Sequence, residues 1–309
     1  MHDPDSFDSS SSACSGRHSM QRIAVRHADV GGIAIQRALP TRERRTVGAW
    51  CFLDHAGPAV FNGSSEGMDV GPHPHIGLQT FTWMIEGEVL HRDSLGSEQI
   101  IRPGQVNLMT AGHGIAHTEQ TTGHPRQLHA AQLWIALPAE HAQMAPRFDH
   151  YPDLPRWKKG AVTQTLLIGQ FEQYRSPVFT VSPLIALDLQ WDADGHLELP
   201  LRSDFETGLL PLIGAFEVND EKISSGEFAY LGMNLNKLRL TAEKGSKALL
   251  IGGEPIKQPI TIWWNFVAHS KQEIAAAQRD WQQGNARFPQ VKGYAGPRMT
   301  APDLPWRVD

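Results

Sequence analysis

Two short motifs carry the residues best suited to chemistry, His73-Pro74-His75 and His117-Thr118-Glu119. In an extended strand successive side chains alternate faces, so residues i and i+2 point the same way. His73 and His75 therefore share a face, as do His117 and Glu119. If the two strands lie side by side, three imidazoles and one carboxylate converge. That is a donor set for one divalent transition metal, with Fe(II), Mn, Ni, Cu and Zn all chemically suitable. A single H-x-H among 15 histidines carries little weight alone, because short motifs match by chance. The stretch between the two pairs supplies the weight.

That stretch reads as short strands between glycine-centred turns. Leu78–Ile85 is rich in β-formers and breaks at Glu86-Gly87, Val89–Asp93 follows, and Ser94–Glu98 reads as a turn. Gln99–Arg102 stops at Pro103-Gly104, and Gln105–Met109 runs into Ala111-Gly112. Strands of this kind fold back on one another into a small antiparallel barrel or jelly roll, which would hold both pairs inside its mouth.

Several of these segments resemble the pirins, a family within the cupin superfamily. The resemblance is carried by Cys51–Pro58, Gly71–Gly77, Glu86–Gly96 and Met109–Glu119, and by Gly253–Pro259 with the helix after it; together they cover most of residues 22 to 285. It implies an all-β bicupin with one metal centre, whose ligands are His73, His75, His117 and Glu119, and with Fe(II) as the expected ion. Bacterial-type pirins resemble quercetin 2,3-dioxygenases, which implies a small flavonol-like aromatic and O2 as substrates. Glu119 would then double as a base for the substrate hydroxyl. Eukaryotic pirins resemble transcriptional cofactors, so the alternative is a non-enzymatic, metal-dependent regulatory or redox-sensing protein acting through a protein partner.

Three positions depart from the resemblance. Many cupins take a metal-binding Glu four residues after the second His, where this chain has Gln79; the resemblance to pirins implies that Glu119 of the later H-x-E fills that role instead. Ile76 stands where well-known pirins carry Arg, which is expected to remove a cation from the rim of the site. His113 also stands where Arg is frequent, and reads either as a pocket residue or as an exposed turn histidine.

Composition bounds the rest. At 309 residues there is room for two domains. A net charge of −5 and a pI near 6.3 give no footprint for nucleic acid or for an anionic membrane. Cys14 and Cys51 are the only cysteines, so no disulfide framework is implied and a cytoplasmic location is expected. No apolar run approaches the ~20 residues that span a bilayer. Residues 1–20 are dominated by Ser, Asp and His and read as a disordered extension with no signal peptide. Gly63–Asp69 reads as a loop over the metal mouth.

The pattern continues beyond the motifs. Gly31-Gly32 suits a hairpin turn, Trp50–His55 is an apolar strand, and Leu128–Leu137 is a long one; His55 and His129 have no partner at i±2 and read as structural. Residues 21–140 are expected to form the metal-binding domain, with the proline-rich stretch 141–160 as linker. Residues 161–268 again show short strands, but His196 is the only histidine among them, so this half is expected to be a cupin without a metal site. Ser270 to Glu273 is a capping box, and Ile274, Ala277 and Trp281 fall at helical spacing before Gly284. One amphipathic helix and a Pro/Gly-rich tail over 269–309 are expected to close the fold, the tail wrapping back over a domain.

Overall fold

The computed structural model describes residues 20–61, 67–122 and 127–307. Outside these lie the Ser-rich extension with Cys14, residues 63–66 of the expected mouth loop, and residues 123–126. The first strands in chain order are β1 (Gln21–Ala24), β2 (Arg26–Val30), β3 (Ile33–Leu39), β4 (Trp50–Val60), β5 (Asp69–His75) and β6 (Leu78–Glu86). Next come β7 (Val89–Asp93), β8 (Glu98–Ile101), β9 (Val106–Thr110), β10 (Ile115–Thr121), β11 (Gln127–Ala136), β12 (Arg147–Tyr151) and β13 (Arg156–Lys159). They are followed by β14 (Val162–Ile168), β15 (Gln170–Phe171), β16 (Tyr174–Arg175), β17 (Leu184–Trp191), β18 (Gly195–Pro200), β19 (Glu206–Ile213) and β20 (Ala215–Val218). The last are β21 (Glu221–Ser224), β22 (Glu227–Gly232), β23 (Lys237–Ala242), β24 (Lys247–Gly253), β25 (Thr261–Trp263), β26 (Phe266–Ala268) and the helix α1 (Lys271–Gln283).

These strands form two all-β barrels of the same plan. In the first, the seven-stranded sheet β12-β9-β6-β11-β4-β3-β2 faces the four-stranded sheet β5-β10-β7-β8. In the second, β1-β22-β19-β24-β17-β14-β13 faces β18-β23-β20-β21. The outer sheets alternate as a half-buried strand must: β23 exposes Lys237, Arg239 and Thr241 and buries Leu238, Leu240 and Ala242. The two large sheets instead pack back to back, so β6 is buried on both faces and its sequence shows a run with no alternation. Trp50, Leu53, Phe81 and Leu133 from one sheet meet Leu184, Ala186, Leu210 and Ile251 from the other in one apolar core.

Polar contacts fix this interface. The Trp50 indole donates to the Gly252 carbonyl at 3.1 Å, and the Gly48 amide to the Glu206 carboxylate at 2.7 Å. Gly48 has φ +53°, and a Cβ there would lie 2.6 Å from the Gly253 Cα, so only glycine allows the two backbones to approach. The Trp83 indole donates to Asp188 at 3.2 Å. Burial pushes the Asp188 carboxyl up to about 6 from its ordinary 3.8, against the opposing pull of Trp83, Lys247 and Arg156. Folding thus favours its protonated form, and the stability this adds is complete below about pH 4 and lost as pH rises through about 6. The loss is about 3 kcal/mol. Asp188→Asn, neutral throughout, is expected to match the wild type near pH 4 and to melt higher at pH 8 in scanning calorimetry; equal melting temperatures at pH 8 would contradict this.

The segment 141–160, expected as a linker, carries β12 and β13. The first joins β9 and the second joins β14, so within this segment residues 152–155 make the crossing between barrels. Proline lacks the N–H of a strand ladder, which makes the region read as linker although Arg147–Tyr151, free of proline, still pairs. The termini also exchange. β1 pairs with β22 at the edge of the second barrel's large sheet. The hairpin β25–β26, within the span expected for the second domain, lies instead against the first barrel, where Ile76 bridges to Phe266.

Helix α1 begins at the predicted capping box, with the Glu273 amide on the Ser270 hydroxyl at 3.2 Å and the Ser270 amide on the Glu273 carboxylate at 3.0 Å, and ends at Gly284 in the left-handed region. Its stripe of Ile274, Ala277 and Trp281 packs on Ile76, Ala116 and Phe266. The tail returns over the same barrel: Trp281 donates to the Met299 carbonyl, and the Met299 amide to Pro72. Among the described residues, no helix is long and apolar enough to cross a membrane.

Candidate metal centre

Strands β5 and β10 pair directly, with His117 opposite His73 and Ile115 opposite His75. The three imidazoles therefore meet on the inner face of the small sheet, and each offers a nitrogen within 4.8 Å of the others. It is the one group of three or more such side chains among the described residues. His75 Nε2 and His117 Nε2 are 3.1 Å apart. Each ring is oriented through its other nitrogen. His73 Nδ1 donates to the Gly71 carbonyl and His75 Nδ1 to the Asn265 carbonyl, both at 2.9 Å.

His117 is held by a relay that the sequence analysis missed. Its Nδ1 lies 3.4 Å from His91 Nδ1, and His91 Nε2 lies 3.1 Å from Asp93 Oδ2. Asp93 Oδ1 accepts from the amides of Leu95 and Ser97. Burial works to raise the Asp93 carboxyl, but the hydrogen bonds and charge of His91 and the Ser97 contacts outweigh it and hold it below its ordinary value. An ionised Asp93 accepts the hydrogen bond from His91 Nε2–H, so His91 Nδ1 accepts from His117 and the His117 Nε2 lone pair faces its neighbours. Phe148 of β12 stacks on His91 with centroids 4.3 Å apart. The signal was legible: His91-x-Asp93 obeys the same i, i+2 rule on β7, which pairs with β10.

The donor set fits a divalent transition ion. Burial pushes His73 down to about 4 and His75 and His117 well below their ordinary value, so all three are neutral with lone pairs available. Glu119 lines the same cavity, but its carboxylate lies outside the 4.8 Å group. A register break between His117 and Glu119 puts Val70, not Gly71, opposite Glu119. Burial pushes the Glu119 carboxyl up to about 7, a direction that an adjacent cation would reverse. His91→Phe, which keeps the stack on Phe148 and removes the acceptor for His117, is expected to weaken metal binding about 10- to 100-fold in a competition titration with a chelator; unchanged affinity would remove the relay from the site.

The other sequence candidates fall elsewhere. Gln79 is fully buried, donates to Thr110 Oγ1 at 2.9 Å and does not line the cavity. Ile76 is not on the rim: it is buried under α1, in the cluster with Ala116 and Phe266. His113 is exposed on its turn, and its carbonyl accepts from Arg287. His55 and His129 pair with each other at 2.8 Å, away from the cavity. His196 is exposed on β18, and the second barrel's interior is an apolar cluster.

Comparison with known proteins agrees with this architecture. Residues 32–135 match the family model of pirin, and residues 186–289 that of the pirin C-terminal cupin domain. A Pseudomonas aeruginosa protein provisionally named quercetin 2,3-dioxygenase is 55% identical over 304 residues, 97% of this chain and 96% of its own. A crystal structure of a quercetin 2,3-dioxygenase from Acinetobacter baumannii superposes with a TM-score of 0.91 at 48% identity, covering 94% of this chain and 97% of that one. A bacterial pirin from Escherichia coli, solved in complex with nickel(II), shares the fold at 19% identity, with a TM-score of 0.62 over 77% of this chain and all of its own. With its two barrels and the matches to both halves, the chain belongs to the pirin family and is a bicupin.

Proposed function

We propose that this protein is a metal-dependent dioxygenase acting on a flavonol-like aromatic, with one divalent ion, Fe(II) by preference, held by His73, His75 and His117 and with Glu119 as the carboxylate beside it. The observation that carries the reading is the cavity into which the three imidazoles open, about 750 Å³ in volume. That is within the range of ~300–1,000 Å³ that encloses a small organic ligand. Its floor is aromatic: Trp134 meets His75 edge-on at 5.2 Å and stacks on Phe52 at 4.1 Å. A flat ring lies over such a surface with its hydroxyl toward the histidines.

A divalent ion there supplies Lewis acidity toward an ionised substrate oxygen and, as Fe(II), reducing power toward O2. The Glu119 carboxylate, kept ionised by a cation beside it, would take the proton from the substrate hydroxyl. The apolar walls from Met84, Val89 and Leu128 keep water from the ionised substrate.

The test is metal analysis of protein isolated without chelators, followed by oxygen uptake with a flavonol panel. One metal per chain and O2 uptake abolished by chelator are expected. Fully metallated protein that consumes no O2 with any flavonol would overturn the proposal in favour of a non-enzymatic, metal-dependent protein that acts through a partner.

A further inference from the structure

A polar row crosses the wall of the same cavity. Arg37, Asp54, Gln132 and Thr82 stand directly opposite one another across β3, β4, β11 and β6, and all four line the cavity. The rows on either side are mostly apolar: Ile35, Ala56, Ala130 and Met84 on one, Phe52 and Trp134 on the other. Arg37 Nε and Nη2 hold the two Asp54 oxygens at 2.8 and 2.7 Å, and Thr82 Oγ1 donates to Gln132 Oε1 at 2.7 Å. A half-buried charge pair and amide in an otherwise apolar wall add little to stability, since apolar residues of like volume would serve as well. Their placement is connected to the histidines by packed rings, His75 against Trp134, Trp134 on Phe52, and the Arg37 guanidinium over Phe52 at 4.5 Å.

We infer that this row is the subsite that reads the hydroxyl substituents of the ring remote from the histidines, so that the preferred ligand is a neutral polyhydroxylated aromatic; the inference rests on the function proposed above. The chemistry selects hydroxyls. Arg37 Nη1 and Gln132 Nε2 are left to donate, because the other polar atoms of those side chains are engaged within the row. The Asp54 carboxylate retains lone pairs to accept. A hydroxyl both donates and accepts, and adjacent hydroxyls can engage donor and acceptor together. A carboxylate or phosphate on that ring could accept from Arg37 but would offer Asp54 no donor and bring a second negative charge beside it.

The test uses the metal-loaded protein without oxygen, and measures by tryptophan quenching the affinity for 3-hydroxyflavone and for its 3′,4′-dihydroxy counterpart. Gln132→Leu and the paired change Arg37→Met with Asp54→Leu are expected to lose about tenfold in affinity for the dihydroxy ligand, the scale of about one hydrogen bond, and nothing for 3-hydroxyflavone. Undiminished binding of 3-hydroxyflavone reports that the variants are folded. Thr82→Val, nearly isosteric, frees the Gln132 amide and is expected to lose part of the same preference. If all these variants keep the wild-type ratio between the two ligands, or Thr82→Val weakens both equally, the subsite is overturned while the proposed function stands. If wild-type protein binds neither ligand, both fall.

Discussion

Protein with His75→Ala is expected to emerge folded and without stoichiometric metal. The ring supplies one of three converging nitrogens, and its loss leaves two imidazoles with Glu119 outside their immediate group. Loss of a ligand should cost at least the ~10- to 100-fold typical of a lost outer partner. The fold does not rest on this ring, because the barrel keeps the core of Trp50, Leu53, Phe81 and Leu133. Metal analysis beside circular dichroism checks both halves of the expectation, and metal retained by the double His73/His75 alanine variant would show that the ligands lie elsewhere. Glu119→Gln preserves size and removes charge, so it should weaken metal binding as well. Gln79→Ala should not, since that side chain is turned away from the cavity; equal losses from the two would require the site to be redrawn around position 79.

The largest stability effect is expected from Trp50→Ala. The ring is fully buried, meets Phe81 edge-on at 5.7 Å and donates its N–H across the interface to Gly252. Truncation leaves a cavity between the two large sheets and strands a carbonyl, at a cost of about 3–5 kcal/mol. The melting temperature should fall by on the order of 10 °C. A fall of a degree or two, measured by calorimetry, would mean that the back-to-back packing of the barrels does not depend on this ring.

Much of this was legible in residues. The i, i+2 rule put His73 with His75 and His117 with Glu119, and pairing of β5 with β10 brings the three imidazoles together. It did not foresee the register break that sets Glu119 apart, since a bulge leaves no mark in the spacing of side chains. Strands such as β23 announced themselves by alternation, whereas Leu184–Trp191, buried on both faces, has almost none. The exchange of termini was invisible, because pairing of residues 21–24 with 227–230 depends on contacts made only when the chain is folded. Ile76 was misplaced for the same reason: what covers it is a helix nearly 200 residues later.

The carbonyl that orients His75 belongs to Asn265, 190 residues downstream. A chain emerging from the ribosome therefore has all three imidazoles, and the strands that carry them, long before it has the backbone group that turns one imidazole to its working pose. The nascent first barrel would hold an unfinished site, and full affinity for metal is expected only once translation has passed Asn265 and the hairpin around it has docked. Metal loading is thereby expected to depend on completion of the polypeptide: a truncated product ending near residue 260 would carry His73, His75 and His117 without the carbonyl that orients His75, and is expected to load poorly.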